Sequence, residues 1–321
     1  MSSVPLSVRV SRKTKEALDI CSFELMHPDG AALPRFAAGA HIDVETPGGL
    51  IRQYSLCNDS SESNRYLIGV LKDAASRGGS VAMHESLKEG DTLRISEPRN
   101  HFALAQGGKR SLLLAGGIGI TPILCMAERL SNTGSPFELH YCSRSRERMA
   151  FHDRILAAPF AIHTHMHFDN GHDSQKLDLR AVLENLELGC HAYVCGPTGF
   201  IDIVTKTARE RGLAEEQVHR EYFGATVVNS SDDFEFQVRI ASTGKTICIR
   251  PNETVLAALS AHGIEIPYSC EQGVCGTCLT RVLFGEPEHR DHFLTEQERR
   301  LNDQFLPCCS RSKSKLLILD L

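Results

Sequence analysis

The chain has 321 residues, which is long for one hydrophobic core, so two or three domains are expected. Its 41% hydrophobic and 23% charged residues are typical of a globular protein, and its net charge of −5 argues against nucleic acid as a partner. No apolar run approaches membrane-spanning length, and the start of the chain lacks a secretion signal. The twelve cysteines are therefore expected to be reduced thiols in the cytoplasm.

The first hundred residues contain short β-strand patterns separated by Gly, Pro and Asn/Asp turns. The clearest strands are predicted over 6–14, 41–46, 51–57, 65–72 and 91–98. Their spacing predicts an antiparallel barrel or sandwich. We place this domain at residues 1–106.

From about Lys109 the pattern changes to alternating strands and helices. Strands are predicted over 111–117, 137–144, 160–168, 191–197 and 217–223, with helices over 123–130 and 201–212. Such alternation predicts a parallel sheet that is covered by helices on both faces. We place this α/β domain at residues 107–226.

The C-terminal part begins after a small, polar and acidic stretch that predicts a linker at residues 227–235. A hairpin is expected to turn at Thr243 and Gly244, and a helix should follow over 254–263. The third domain then spans residues 236–321.

A cysteine motif in this third domain carries the strongest chemical signal in the chain. Cys270, Cys275 and Cys278 have the spacing C-x4-C-x2-C, and two further cysteines follow about thirty residues later. Four thiolates at this plant-type spacing predict a [2Fe–2S] cluster, whereas cysteine-rich zinc sites usually form two close C-x2-C pairs. Gly273 and Gly276 lie between the ligands, where the backbone must wrap closely around the cluster. The motif predicts single-electron transfer.

Two loops of the α/β domain predict a nucleotide site. Gly116, Gly117 and Gly119 follow an apolar strand and precede a helix, where free N–H groups favour a pyrophosphate. Cys195-Gly196-Pro197 ends another apolar strand. Ligands bind beyond the carboxyl ends of parallel strands, so both loops should face one crevice. The glycine spacing departs from G-x-G-x-x-G, and a plain turn is the alternative.

The barrel domain carries two features suited to phosphate and to a flat ring. Arg52, Tyr54 and Ser55 lie on one predicted strand, where Arg52 can bind oxygen pairs and Tyr54 can lie against a ring. The loop residues are Arg77, Gly78, Gly79 and Ser80, with Ser80 as the predicted N-cap of a short helix. An ion pair beside a core tyrosine is the alternative reading, but together the features favour a flavin nucleotide.

These motifs together resemble the phthalate dioxygenase reductase family, the reductase components of two-component Rieske oxygenases, which include the vanillate O-demethylase reductases. The likeness covers essentially the whole chain in the same domain order. It implies a flavin barrel of ferredoxin-reductase type, an NAD domain and a β-grasp ferredoxin. It also implies FMN, NADH and a [2Fe–2S] cluster as cofactors, and transient docking of a Rieske terminal oxygenase. A monomer would suit such a shuttle.

The resemblance also assigns roles to individual residues. Residues expected at the FMN are Arg52, Tyr54, Ser55, Arg77, Gly78, Gly79 and Ser80. Residues expected at the nicotinamide nucleotide are Gly116, Gly117, Gly119, Thr121, Cys195, Gly196 and Pro197, with Phe223 near the flavin ring. The fourth iron ligand would be Cys308, although the adjacent Cys309 leaves that assignment open.

The coenzyme preference remains open at this point. Arg144 and Arg146 follow the second strand of the α/β domain, where arginine favours a 2′-phosphate and hence NADPH. The family resemblance favours NADH, which we take as the expectation. Exposed arginines are common, so these two can simply be solvated.

Three histidines in the same domain form a separate pattern. His163, His165 and His167 alternate along one predicted strand and should share a face. Imidazole is a common metal ligand, but the sequence offers no partner carboxylate for them. A polar strand face is therefore the favoured interpretation.

Two other classes of function compete with an oxygenase reductase. One is a pure electron carrier with a vestigial nucleotide domain, against which the intact glycine loops argue. The other is a redox sensor, for which no output domain is found. NADH-dependent reduction of an artificial electron acceptor would distinguish the reductase from both.

Overall fold

The computed structural model describes residues 5–73, 78–184, 186, 189–223, 233–268 and 270–321. The chain forms two compact units, which divide after Phe223. Among the described residues, none of the helices combines the length and the apolar character that crossing a bilayer requires. The cysteines all fall in the described ranges, and each of them is free of disulfide bonding.

The first unit begins with an antiparallel sheet whose strands run in the order β4-β3-β6-β1-β2-β5. Its elements are β1 Leu6–Ala17, β2 Ile20–Met26, β3 His41–Glu45, β4 Ile51–Ser55, β5 Tyr66–Leu71, α1 Gly79–Glu85 and β6 Thr92–Ile95. The two edge strands meet where Leu56 pairs with Ile68 and the Cys57 N–H donates to the Leu67 carbonyl at 2.9 Å. The sheet is therefore a closed barrel, as the strand spacing predicted.

The second half of this unit is a parallel sheet in the order β11-β10-β7-β8-β9. Its strands are β7 Arg110–Gly116, β8 Phe137–Ser143, β9 Thr164–Phe168, β10 Cys190–Gly196 and β11 Val218–Tyr222. Its α-helices are α2 Ile120–Thr133, α3 His152–Ala157, α4 Leu179–Glu184 and α5 Thr198–Glu210. Short 3₁₀ helices occur at Gly117–Gly119, Arg146–Arg148, Pro159–His163, Asp173–Gln175 and Glu215–Gln217.

The predicted strand over 160–168 is wrong in its first half. Pro159 begins a 3₁₀ helix that extends to His163, and only Thr164–Phe168 is a strand. Proline favours the first position of a helix because it has no N–H to leave unpaired. Within this 3₁₀ helix Phe160 is buried, whereas Ile162 is 82% exposed.

Barrel and parallel sheet share one hydrophobic core. That core joins barrel residues such as Phe23 and Ile68 to sheet residues such as Leu113 and Tyr193. A second apolar cluster covers the other face of the parallel sheet, beneath α4 and α5. Helices therefore cover both faces, and the barrel packs against the α2 side.

The C-terminal unit is a mixed sheet in the order β13-β12-β18-β14-β16, packed against a helix in a β-grasp arrangement. Its elements are β12 Phe236–Ile240, β13 Thr246–Ile249, α6 Val255–Ala261, β14 Thr280–Phe284, β15 Pro287–Glu288, α7 Glu296–Leu301, β16 Gln304–Phe305, β17 Arg311–Ser312 and β18 Leu316–Leu319. The predicted hairpin and helix are confirmed, and the side chain of Thr254 caps the helix by accepting the Ala257 N–H at 3.1 Å. Of the predicted linker, residues 233–235 are described, and the side chain of Asp233 is buried against Arg290.

A partly buried ion pair within the first unit gives a stability prediction. Arg154 on α3 donates to Glu128 on α2 at 2.6 Å and to the barrel carbonyl of Cys57 at 3.0 Å. Arg154→Met leaves Glu128 without its cation, and we expect a loss of about 2 kcal/mol in the free energy of unfolding. Thermal denaturation should show a melting temperature about 4–8 °C lower.

The matched control is Arg148→Met, which removes an exposed ion pair to Asp19 at 3.4 Å. Exposed pairs contribute under about 1 kcal/mol, so this variant should melt close to the wild type. Equal melting temperatures for both variants would show that the Arg154–Glu128 pair contributes no more to stability than the exposed Arg148–Asp19 pair does.

Candidate active site and iron–sulfur centre

The two nucleotide loops lie side by side at the carboxyl end of the parallel sheet. A Cβ placed on Gly119 would lie 2.3 Å from the Cys195 carbonyl oxygen, and one on Gly196 would lie 2.9 Å from the Gly116 Cα. Gly117 has φ +54°, which favours glycine. The loops touch through their backbones, so only glycine fits at these contacts.

The other residues predicted in these loops are packed differently from one another. Thr121 is 1% exposed, and its hydroxyl donates to the Ile118 carbonyl at 3.1 Å. Cys195 is fully buried, and burial raises the pKa of its thiol well above the ordinary value. Pro197 lies against Gly116, with its Cδ 3.0 Å from an ideal Cβ there. Thr121 and Cys195 therefore pack behind the loops, whereas Pro197 is exposed.

Glu221 is a residue of this site that sequence reasoning missed. It lies on β11 in register with Cys195, and the Ser55 hydroxyl donates to its Oε2 at 3.3 Å. Burial raises the pKa of Glu221, and the Ser55 hydrogen bond offsets only part of that rise, so the pKa is about 8. A barrel serine and a sheet carboxyl therefore meet at the cleft. In the sequence, the position of Glu221 near the end of a predicted strand and two residues before Phe223 was the signal that could have identified it.

The barrel residues predicted to bind phosphate come together at the start of α1. The Arg52 side chain lies against Gly79, where an ideal Cβ would approach its Nε to 3.0 Å. Gly78 has φ +96° and is the N-cap, so the predicted N-cap role of Ser80 is wrong. Ser80 lies inside the first turn, where its hydroxyl accepts the Asp73 N–H at 3.1 Å. The charge, the glycines and the hydroxyl fit a phosphate group.

The remaining predicted residues surround this cleft or lie outside it. Tyr54 is partly buried on β4, and burial raises its pKa to about 12, so it stays neutral. Phe223, just past β11, is 41% exposed and available to pack on a ring. Arg144 is exposed directly after β8. Arg77 lies outside the described residues.

The C-terminal unit brings the sulfurs of Cys270, Cys275, Cys278 and Cys308 together through a chain of contacts. Hydrogen bonds from the thiols of Cys275 and Cys308 lower the pKa of the Cys270 thiol far below its ordinary value. The same kind of contact joins Cys278 to Cys308. Each of these four side chains is buried, and four converging thiolates are the donor set of a [2Fe–2S] cluster.

Backbone N–H groups also point at these sulfurs. The N–H of Gln272 donates to Cys270 Sγ at 3.3 Å, and that of Thr277 to Cys275 Sγ at 3.5 Å. Hydrogen bonds to sulfur stabilise the thiolate and tune the potential of a bound cluster. The loop therefore carries both the ligands and part of their electrostatic environment.

Cys309 has a different environment from Cys308. Its sulfur contacts the Leu306 carbonyl at 3.7 Å and the Ser310 hydroxyl at 3.7 Å, and it lies against Gly273. Cys308 contacts the sulfurs of Cys270 and Cys278, and it also contacts that of Cys309. Cys308 as the fourth iron ligand stays a prediction.

Asp291 is a second residue that sequence reasoning missed. Its buried carboxylate accepts the N–H groups of Leu294 at 2.8 Å and Phe293 at 3.1 Å. Its Cα would lie 3.1 Å from a Cβ on Gly273, so it packs directly beneath the cysteine loop. Burial raises the pKa of Asp291, but hydrogen bonds from His289 and from the Leu294 N–H, together with the charge of Arg299, lower it below its ordinary value.

Fold and site together define an iron–sulfur electron-transfer oxidoreductase with a nucleotide cleft. A family described as "2Fe-2S iron-sulfur cluster binding domain" matches residues 238–313, and "Dimethylamine monooxygenase subunit DmmA-like, N-terminal domain" matches residues 94–218. The vanillate O-demethylase oxidoreductase of Pseudomonas putida is 57% identical over 98% of this chain and 99% of its own length.

Phthalate dioxygenase reductase of Burkholderia cepacia is 40% identical over 98% of this chain and 97% of its own length. The solved structure of a phthalate dioxygenase reductase, titled as a modular structure for electron transfer from pyridine nucleotides to [2Fe–2S], superposes with a TM-score of 0.80 at 40% identity. It covers 99% of this chain and 98% of that chain. This chain belongs to the phthalate dioxygenase reductase family.

The cysteine loop gives a prediction about cluster assembly. Gly276 has φ +70°, and an alanine Cβ there would lie 2.2 Å from the Phe293 ring, which packs on the core. We expect Gly276→Ala to lose most of its bound iron because the loop can no longer close. Iron and acid-labile sulfide per chain, with the visible spectrum, measure this.

Gly263→Ala is the matched control, since Gly263 has φ +76° but open space around it. It carries the same backbone strain, about 1 kcal/mol, without the collision. Equal iron content in the two alanine variants would show that the Phe293 contact does not govern cluster assembly.

Proposed function

We propose that this chain takes hydride from NADH at an FMN in its barrel cleft and passes single electrons through a [2Fe–2S] cluster to a Rieske terminal oxygenase. FMN when bound exchanges two electrons with nicotinamide and one at a time with iron. The observation that carries the proposal is the convergence of four buried cysteine sulfurs in a chain that also holds a glycine-lined cleft.

The barrel residues supply the grip on FMN. Arg52 would bind its phosphate with the N–H groups of Gly78 and Gly79, and Ser80 would add a hydroxyl. Tyr54 and Ser55 would line the flat ring system. Arg77, which lies outside the described residues, stays a predicted phosphate contact. The sequence offers only a short loop here and no obvious segment to hold an FAD adenine, which favours FMN over the larger flavin.

The sheet residues position the nicotinamide nucleotide. Backbone N–H groups of Gly117 and Gly119 would face its pyrophosphate at the start of α2. Cys195, Gly196 and Pro197 would flank the nicotinamide, and Phe223 would pack near the ring that accepts the hydride. The Glu221 carboxyl is protonated at neutral pH, so it adds no negative charge to the cleft.

NADH is our proposed coenzyme. Arg144 and Arg146 stand exposed at the carboxyl end of the second sheet strand, where they could bind a 2′-phosphate. The solved phthalate dioxygenase reductase is named for electron transfer from pyridine nucleotides, a term that covers both NADH and NADPH. If NADPH reduces the protein faster than NADH, Arg144→Ala with Arg146→Ala should reverse that order.

The partner follows from the relatives' names. Several full-length relatives are vanillate O-demethylase oxidoreductases, at 47–57% identity. We therefore propose an aromatic O-demethylase of the Rieske class as the terminal oxygenase, docking transiently at the cysteine loop. The three-domain division at 1–106, 107–226 and 236–321, a monomeric state and a cytoplasmic location stay predictions.

Anaerobic titration of the purified holoprotein with NADH tests the relay. Bleaching of both flavin and iron–sulfur bands, with the EPR signal of a reduced [2Fe–2S] cluster, is the expected result. Flavin bleaching without that EPR signal would break the relay at its last step. Absence of any flavin or cluster from the purified protein would contradict the proposal itself.

The fourth iron ligand can be tested directly. We expect Cys308→Ser to lose the cluster because its sulfur contacts those of Cys270 and Cys278. Cys309→Ser should keep it, since that sulfur is held by Leu306 and Ser310. Iron content and the EPR signal after dithionite reduction distinguish the two. A reversed outcome would assign the ligand to Cys309.

Glu221 gives a pH prediction. Its raised pKa keeps the carboxyl neutral at pH 7 and lets it ionise as the pH rises through about 8. Hydride adds negative charge to the acceptor, so an ionised Glu221 should slow flavin reduction roughly fivefold, the equivalent of ~1 kcal/mol. Stopped-flow reduction by NADH should show this fall near pH 8 in the wild type. Glu221→Gln, which cannot ionise, should lack it; an unchanged fall would assign it to another group.

A further inference from the structure

The outer edge of the parallel sheet carries a cluster of histidines and a carboxylate. We call Glu138, His140, His165 and His167 the edge cluster. The expected grouping of His163 with His165 and His167 is wrong, because His163 lies in the 3₁₀ helix before β9. The neighbouring strand β8 contributes Glu138 and His140 instead, and so supplies the carboxylate that the sequence pattern lacked.

Strand geometry sets this arrangement. Glu138 and His140 are two residues apart on β8 and so share one face of the sheet. His140 is in register with His165 on β9, which places the two imidazoles side by side. Their rings stack with centroids 4.9 Å apart. Both backbones are held by the sheet, so the side chains start from fixed positions.

Three ligand atoms converge within this cluster. Glu138 Oε1 lies 3.1 Å from His140 Nε2 and 3.1 Å from His165 Nε2. All three atoms lie within 4.8 Å of one another. Ligand atoms around a tetrahedral zinc ion are roughly 3.3 Å apart, so little adjustment would be needed.

Two neighbours orient the ligands. His140 Nδ1 lies 3.0 Å from His167 Nε2, which occupies that nitrogen and directs Nε2 toward Glu138. Arg110 donates to Glu138 Oε2 at 2.8 Å, while Oε1 is directed at the imidazoles. A hydrogen bond at the second nitrogen is the usual support of a metal-binding histidine.

The cluster is also accessible. The His165 side chain is 51% exposed, and Glu138 borders a cavity of about 360 Å³ between the sheet and α4. Water could therefore complete the coordination of an ion. His140, in contrast, is buried, which fixes its position.

We propose that Glu138, His140 and His165 bind one divalent transition-metal ion, with Zn²⁺ as the reference ion, and that His167 positions His140. Two imidazoles and one carboxylate favour zinc, copper or nickel over calcium or magnesium, which take all-oxygen sites. The ion would join the edge strand β9 to β8 and so stabilise the sheet edge.

Titration of the holoprotein with Zn²⁺ against a fluorescent chelator tests the site. One equivalent of Zn²⁺ should bind to the wild type, and Glu138→Gln or His165→Ala should weaken that binding by at least about tenfold. His163→Ala is the matched control, because it removes an exposed histidine just outside the cluster, and it should bind like the wild type. Both ligand changes affect partly exposed side chains in a preformed sheet, so the variants should fold.

Two further readouts separate this site from other zinc binding. Zn²⁺ should raise the melting temperature of the wild type and of His163→Ala, but not of His165→Ala. The visible iron–sulfur bands should persist, since the cluster cysteines are not involved. Equal zinc binding by the wild type, Glu138→Gln and His165→Ala, or zinc uptake that follows loss of those bands, would overturn the proposal. So would a wild type that binds no zinc.

Discussion

The backbone contact between two loops at the carboxyl end of the parallel sheet is the constraint on which the nucleotide cleft depends. Gly119 meets the Cys195 carbonyl and Gly196 meets the Gly116 Cα, at separations that leave no room for a Cβ. With the loops locked together, their N–H groups can present one surface to a pyrophosphate. The side chains of Thr121 and Cys195 then serve as buried packing behind that surface.

The shared core of barrel and sheet also fixes the barrel against the loops of the sheet. Because one apolar core joins them, a barrel strand residue, Ser55, reaches a carboxyl at a sheet strand end, Glu221. Arg154 adds a polar contact from α3 to a barrel carbonyl. Two ring systems that exchange hydride must be held in a fixed relative position, and a continuous core favours this.

The iron–sulfur unit has a different structural requirement, because its cysteine loop must wrap around a compact inorganic cluster. Positive φ values at Glu271, Gly273 and Gly276 turn the chain so that sulfurs and N–H groups point inward. Packing by Phe293 and Asp291 then supports the loop from outside. In both units the loops that would bind a cofactor are held by close packing of their backbone.

The sequence alone determined features that depend on neighbours in the chain. Cysteine spacing predicted the cluster, apolar periodicity predicted the barrel and the α/β sheet, and Gly273 and Gly276 were expected where the backbone needs positive φ. Local patterns failed where another local preference won. Pro159 turned the predicted strand before Thr164 into a 3₁₀ helix, and Gly78 displaced Ser80 as N-cap. Only the tertiary structure joined Ser55 to Glu221, Asp291 to the cysteine loop, and Glu138 to His165, and brought Cys308 against Cys270 and Cys278. These groupings arise from strand register and packing between distant segments, and a linear pattern does not encode such distances.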